Sequence, residues 1–356
     1  MLAVSISRRI LSIAMCAGFL GSLALIPSHA QSSNELAVRP SAADRAAVRQ
    51  VTHLSRHARP ANLDLAPART GTLPAHPASA AAPAAAPSSP PLARSPGDLS
   101  YHGGAVVEFT ESHAIYLNPN GSCTIASCWG DPEGFLTDLG RSEFIHAVDQ
   151  YVGLNSDNRY TVGGRATFKF KPGPASPGFA STPFTDADML AVVHAVASAT
   201  GETGYTHIYH VFLPPGTDEC FDSSFTVCYS PDNLNSFVFC AYHGSVDFTD
   251  IGHVLYTVEP YQNVRSCHVR TGTPNGQLVD STNNVLSHEL IEVITDPDGT
   301  GWWNSMDNGL KGEEIGDECS FVIPHFFDPS TIRIGRRQYA LQLEYDNFEH
   351  ACTARE

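Results

Sequence analysis

Eight cysteines lie beyond residue 122, and none falls between Cys16 and Cys123. An even set of this kind restricts the fold, because each pair that closes must bring two backbone segments within about 6 Å. The start of the chain indicates whether they close. Arg8 and Arg9 precede an apolar run from Ile10 to about Ile26, then Pro27-Ser28-His29-Ala30. Small residues stand where a signal peptidase reads, so residues 1–30 are expected to be a signal peptide. The protein is then secreted, to an extracellular or periplasmic space where disulfides persist. Cys123, Cys128, Cys220, Cys228, Cys240, Cys267, Cys319 and Cys352 make four bridges in this reading. Short loops suggest Cys123–Cys128 and Cys220–Cys228, and Cys240–Cys267 and Cys319–Cys352 follow by elimination. A thiolate zinc site lacks its paired Cys-x-x-Cys spacing.

Composition divides the remainder in two. Residues 31–99 are rich in Ala, Pro, Arg and Ser, and residues 71–95 are dominated by Ala, Pro and Ser. Such a stretch buries too little apolar surface to offset its ordering entropy. It reads as a disordered linker or pro-segment with a helical patch over Ala42 to Leu54. Residues 100–356 are long enough for one domain with a real core. They carry 12 Lys+Arg against 33 Asp+Glu, while residues 1–99 carry 9 against 4. A domain so acidic does not bind nucleic acid or an anionic membrane through general electrostatics. No later run is apolar enough to span a bilayer, and a monomer is expected.

Periodicity gives the order of elements. Ala105–Thr110 and His113–Leu117 read as a hairpin. Phe135–Val152 has helical spacing, with Phe144, Ile145, Val148 and Tyr151 on one side. Arg165–Lys171 alternates as a strand. Thr185–Thr200 is a helix capped by Thr185 and stopped by Gly201. Thr206–Leu213, Phe237–His243 and Val254–Glu259 read as strands, and Gln338–Tyr345 as a late one. The alternation implies an α/β or α+β fold with a mixed sheet.

The chemistry concentrates in Ser287-His288-Glu289-Leu290-Ile291-Glu292-Val293-Ile294-Thr295-Asp296-Pro297. A helix from about Ser281 to Thr295, capped by Asp280, Ser281 or Thr282, puts His288 and Glu292 on one face. An imidazole and a carboxylate one turn apart can share a metal ion, with Glu289 beside them as a general base. An ordinary ion pair or an exposed polar stripe has the same spacing. For the third ligand, Asp296 ranks first and Asp298 second. Glu314, Asp317 and His243 are further third-ligand or outer positions. His207 and His210, three apart on a strand, face opposite ways, so at most one joins a common site. His253 ranks with His243 as a strand-end histidine. Trp302 and Trp303 either floor a groove or pack behind the helix. Oxygen-rich ligation tilts preference from zinc toward harder ions. One divalent ion is expected, zinc first, with calcium or manganese as alternatives.

Taken together, Tyr101-His102-Gly103-Gly104, Cys240, His243-Gly244, Ser287-His288-Glu289-Leu290, Glu292, Thr295-Asp296-Pro297, Trp303 and Glu314-Ile315-Gly316-Asp317-Glu318-Cys319 resemble the phosphate-induced, EXORDIUM-like family. The resemblance is sharpest over 285–319. It implies an extracellular domain with a zincin-like helix, and one constellation of His288, Glu289, Glu292, Asp296, Glu314 and Asp317. The expected function is a metal-dependent hydrolase acting on peptide bonds, with Glu289 catalytic and His288, Glu292 and Asp296 on the metal. The competing expectation is a non-enzymatic extracellular protein with a structural ion that binds cell-wall material or a partner.

Overall fold

The computed structural model describes residues 96–117, 123–168, 173–320 and 328–354, together with the backbone of the strands Asn34–Leu36 and Val48–Ala58. Strands β1 (Asn34–Leu36) and β2 (Val48–Ala58) precede β3 (Ser100–Tyr101) and β4 (Thr110–Leu117). Helices α1 (Ile125–Cys128), α2 (Pro132–Leu139) and α3 (Asp149–Val152) follow, with a 3-10 turn over Glu143–Val148. Next come β5 (Tyr160–Phe168), β6 (Phe184–Thr185), α4 (Asp186–Thr200), β7 (Gly204–Phe212), β8 (Glu219–Cys220), β9 (Cys228–Tyr229), β10 (Phe239–Phe248) and β11 (Gly252–Glu259). The last stretch holds α5 (Gln277–Thr295), β12 (Trp302–Trp303), a 3-10 turn over Asp317–Cys319, β13 (Ser330–Ile334), β14 (Arg337–Leu341), β15 (Glu344–Asp346) and β16 (Ala351–Thr353).

Seven strands form the central sheet in the order β1-β5-β4-β7-β11-β10-β2. Neighbours from β1 through β11 run parallel, and β10 and β2 add antiparallel. Parallel neighbours need long crossovers. The α1–α3 segment supplies one between β4 and β5, and α4 supplies one between β5 and β7. The fold is therefore mixed α/β, with four small sheets beside the main one.

A strand sends alternate side chains to opposite faces, and the two faces of this sheet are covered by different helices. Ile115, Leu117, Tyr209, Val211, Val254, Tyr256 and Val258 pack with Met189, Val192, Val193 and Val196 of α4. Ala114, Tyr116, Ile208, Phe212 and Leu255 pack with Leu286, Leu290 and Ile294 of α5 and with Phe135, Leu136 and Leu139 of α2. The α4 helix forms where its signals put it. The Asp188 carboxylate accepts from the Thr185 backbone at 2.9 Å, and Gly201 closes the helix at φ +76°.

Several expectations change. There is no hairpin at 105–117, because Thr110–Leu117 is one strand between two parallel neighbours. Upstream of it, the Val107 backbone donates to Ile294 at the end of α5 (2.8 Å). The helix expected over 135–152 breaks at Gly140, where a Cβ would meet the Tyr160 carbonyl at 2.0 Å, and restarts as a 3-10 turn capped by Ser142. Residues 48–54, read as part of a helical patch, belong to β2, which lies along β10. The late strand splits into β14 and β15. The α5 helix begins at Gln277 rather than near Ser281. Asp280 is therefore not its cap but lies in its first turn, accepting from the Asn275 backbone and side chain at 2.8 Å each. The signal peptide, most of 31–99 and the end of the strand at 165–171 fall outside the described residues.

All four disulfides pair as expected. Among the described residues no helix is long and apolar enough to cross a membrane. Both facts are consistent with an extracellular protein.

Candidate metal centre

The site begins with a row of polar residues on one face of the sheet. His210 pairs in register with Thr257, and Thr257 with His243, so β7, β11 and β10 each place one polar side chain in the same row. His210 donates from Nδ1 to Thr257 Oγ1 at 2.9 Å, and Thr257 donates to Glu259 Oε1 at 2.8 Å. His207 lies on the opposite face, where it meets His113 at 3.0 Å, as the strand spacing requires.

The α5 helix lies over that row. Every residue from Asp280 to Thr295 is buried, so the polar stripe of the helix is not a solvated face. A buried helix normally carries apolar residues all round. This one instead aims His288, Glu289 and Glu292 at the sheet and at the loop after β12. His288 Nε2 stands 3.2 Å from Glu292 Oε1 and 3.7 Å from Asp317 Oδ1. His243 Nδ1 stands 3.3 Å from Glu289 Oε2 and 3.5 Å from Glu292 Oε2. His243 Nε2 lies 3.5 Å from Glu314 Oε2. Two sets of ligand-type atoms thus lie within 4.8 Å of one another: His288, Glu292 and Asp317, and His243, Glu289 and Glu292.

The loop bearing Glu314 and Asp317 reaches the helix because Gly316 lies flat against the His288 ring. A Cβ at Gly316 would fall 2.3 Å from His288 Nδ1. Cys319–Cys352 pins the end of this loop, and the Asp317 backbone donates to Glu292 Oε1 at 3.2 Å.

Asp296, first choice for the third ligand, does not join either set, and Asp317 takes that place beside His288 and Glu292. The eight-residue spacing from His288 holds only while the helix continues. The chain leaves it at Asp296 (φ −147°, ψ 63°), whose carboxylate turns to accept from the Gly301 backbone at 2.6 Å. Asp298 belongs to a separate cluster, accepting from the Tyr205 hydroxyl and lying 3.3 Å from His253 Nε2. Glu318 ties down the Asn304 side chain and the Gly97 backbone. Trp302 packs behind the site and donates to the Tyr151 carbonyl at 2.8 Å, while Trp303 stacks on His102.

Sequence reasoning passed over Thr257, Glu259, Gln342 and Glu344, all buried here. The signal was available. Thr257 and Glu259 stand at the inward positions of an otherwise apolar strand, and Gln342 and Glu344 alternate with Leu341, Leu343 and Tyr345.

Electrostatics show how crowded the centre is. Burial pushes Glu259, Glu289, Asp317 and Glu344 above the usual carboxylate range, and neighbouring carboxylates add to it. Burial would also raise Glu292, but His288 and His243 hold it far below that range. Burial would lower His243 and His288, yet the surrounding carboxylates raise both. Carboxylates raised in this way take up protons more readily. A divalent cation can replace those protons, which couples metal affinity to pH.

The spacing at the centre is longer than in the tightest histidine–aspartate pairs, such as His146 with Asp149 and His253 with Asp247 at 2.8 and 2.9 Å. Other pairs share it, His253 with Asp298 and His146 with Asp157 each standing at 3.3 Å. His243 lies 3.3 Å from Glu289, and His288 3.2 Å from Glu292. Ligand atoms about 2.0–2.1 Å from a tetrahedral ion lie about 3.3 Å apart. Gln342 Nε2 donates to the Gly316 carbonyl at 3.0 Å and lies 2.8 Å from His288 Nδ1, which ties the loop to the helix. Its buried Oε1 has no hydrogen-bond partner among the described residues.

Comparison of the chain with family models, curated proteins and solved structures returned no match.

Proposed function

We propose that this is a secreted metal-binding domain whose buried centre fastens α5 to the sheet and to the 314–319 loop. The carrying observation is the set His288, Glu292 and Asp317, brought within ligand distance from a helix and a disulfide-pinned loop. All three are buried, Asp317 being the most exposed at 5 %. Structural metal sites are closed in this way, whereas catalytic sites keep a position open to water or substrate. The imidazole in the set favours zinc or manganese over calcium, which takes six to eight oxygens. In this reading the surface of the domain, not the centre, meets cell-wall material or a partner. Kinship with the EXORDIUM-like family and the zincin-like plan are part of the same proposal, on the residues over 285–319.

One observation favours hydrolysis as a second reading. Glu289 is fully buried beside the His288 set, and its Oε1 has no hydrogen-bond partner among the described residues. That is where a general base for a metal-bound water would stand.

Elemental analysis of the purified full chain, with thermal unfolding before and after chelation, tests the proposal. Bound zinc or manganese and a lower Tm on chelation are expected. A metal-free protein whose Tm ignores both metal and chelator overturns it. Peptide hydrolysis by the loaded protein, lost in Glu289→Gln with metal content unchanged, would replace the structural reading with the hydrolytic one.

A further inference from the structure

The two oxygens of Glu292 serve different histidines. Oε1 faces His288 Nε2 at 3.2 Å, on the side of Asp317, and Oε2 faces His243 Nδ1 at 3.5 Å, on the side of Glu289. An ion pair with one histidine would use one side of the carboxylate. We propose that the centre is dinuclear: one divalent cation on His288, Glu292 and Asp317, a second on His243, Glu289 and Glu292, with the Glu292 carboxylate bridging them. This rests on the metal reading above and adds a second ion to it.

Three observations carry the second ion. First, the His243 set has the same geometry as the His288 set. His243 Nδ1 lies 3.3 and 3.5 Å from its two carboxylate oxygens, close to the roughly 3.3 Å edge of a tetrahedral shell. Second, the other nitrogen of His243 points to Glu314 Oε2 at 3.5 Å. A ligating histidine usually gives its second N–H to a carboxylate in this manner, and Glu314 becomes the group that orients the ring.

The third observation is charge. Glu259, Glu289, Glu292, Glu314, Asp317 and Glu344 are all at most 5 % exposed. Unpaired buried charge is among the costliest features a fold can carry. With neutral imidazoles and all six carboxylates ionised, one divalent ion leaves four formal negative charges, and two ions leave two, so fewer protons are needed to balance the cluster. Among the described residues, the basic side chains paired with Glu289 and Glu292 are His243 and His288. Carboxylate-bridged ions stand about 3.5–4 Å apart.

The test uses the full chain, stripped by chelator, reloaded with zinc alone and dialysed, with ions per chain read by elemental analysis. A parallel manganese-loaded sample is read by electron paramagnetic resonance. The expected result is two ions per chain and the broadened spectrum of exchange-coupled manganese. His243→Gln should lower the count to one and restore the spectrum of an isolated ion. One ion per chain in the unsubstituted protein overturns the second ion and leaves the single-metal reading standing. Two ions without coupling overturn the bridge. No ion under either loading overturns both readings.

Discussion

The two faces of the central sheet are built from the same strands and do opposite things. Under α4, inward residues such as Val211, Tyr256 and Val258 meet Met189 and Val193, and the face is an apolar core. Its polar exceptions include Asp186, which lies 3.0 Å from the Tyr242 and Tyr256 hydroxyls, and Glu219, 2.9 Å from the Tyr242 hydroxyl. Under α5, the alternate positions of those strands are His210, Thr257, Glu259 and His243, and His243 meets Glu289 and Glu292. One residue of register separates a core from the candidate metal centre. In the proposed reading α4 is held by apolar area, which does not respond to a chelator, and α5 by charges that a cation would balance.

The largest test of that contrast sets one substitution on each face against the other. Glu292→Ala removes the carboxylate shared by both ligand sets and should cost about 3–5 kcal/mol, since it leaves other buried charges uncompensated. It should also abolish the response of stability to chelator. Met189→Ala on the α4 face should cost about 2–5 kcal/mol, with the chelator response intact. Urea unfolding with and without chelator measures both. Equal chelator responses in the two variants would break the comparison.

Opening the 319–352 bridge sharpens it. Cys319→Ser with Cys352→Ser should cost about 2–4 kcal/mol by freeing the unfolded chain. The same pair should weaken metal retention, because the bridge pins the loop bearing Glu314 and Asp317. Competition against a chromogenic chelator reads that affinity.

Gly316→Ala places a methyl 2.3 Å from His288 Nδ1. Overpacking of this kind costs about 1–3 kcal/mol. Metal content should fall with stability, and unchanged metal content would show that the loop does not bear on the His288 ring.

The smallest effect lies outside both faces. Asp298 is held down to about 2, since burial, which would raise it, is outweighed by His253 at 3.3 Å, by nearby Ser245 and by the hydrogen bond from the Tyr205 hydroxyl. A folded pKa below the unfolded one contributes stability above about pH 4, which is lost as pH falls toward 2. Because the group is partly solvated, the contribution should be about 1 kcal/mol or less. Asp298→Asn should flatten the pH dependence of urea unfolding in that window and leave the chelator response alone.

Much of this was legible in the residues. The cysteine spacing led to all four bridges, and Thr185 and Gly201 bounded α4 correctly, because caps and short loops are local properties. Helical spacing put His288 and Glu292 on one side, and their contact follows. The hairpin at 105–117 failed because pairing is not local. Thr110–Leu117 finds parallel partners at β5 and β7, with Thr110 opposite Tyr160 and Glu111 opposite His207. Asp296 falls outside both ligand sets because periodicity assumed a helix that ends one residue earlier.

The sequence by itself therefore determined the local pieces: which cysteines pair, where α4 starts and stops, and that His288, Glu289 and Glu292 share a helix. Each follows from backbone geometry over a few residues. Only the tertiary structure decided what those three side chains meet. Strand register brings His243 beneath them, and the flat approach of Gly316 with the Cys319–Cys352 bridge brings in Asp317 and Glu314. A site made from a strand, a helix and a loop spread along the chain from His243 to Asp317 exists only once the sheet has set their spacing.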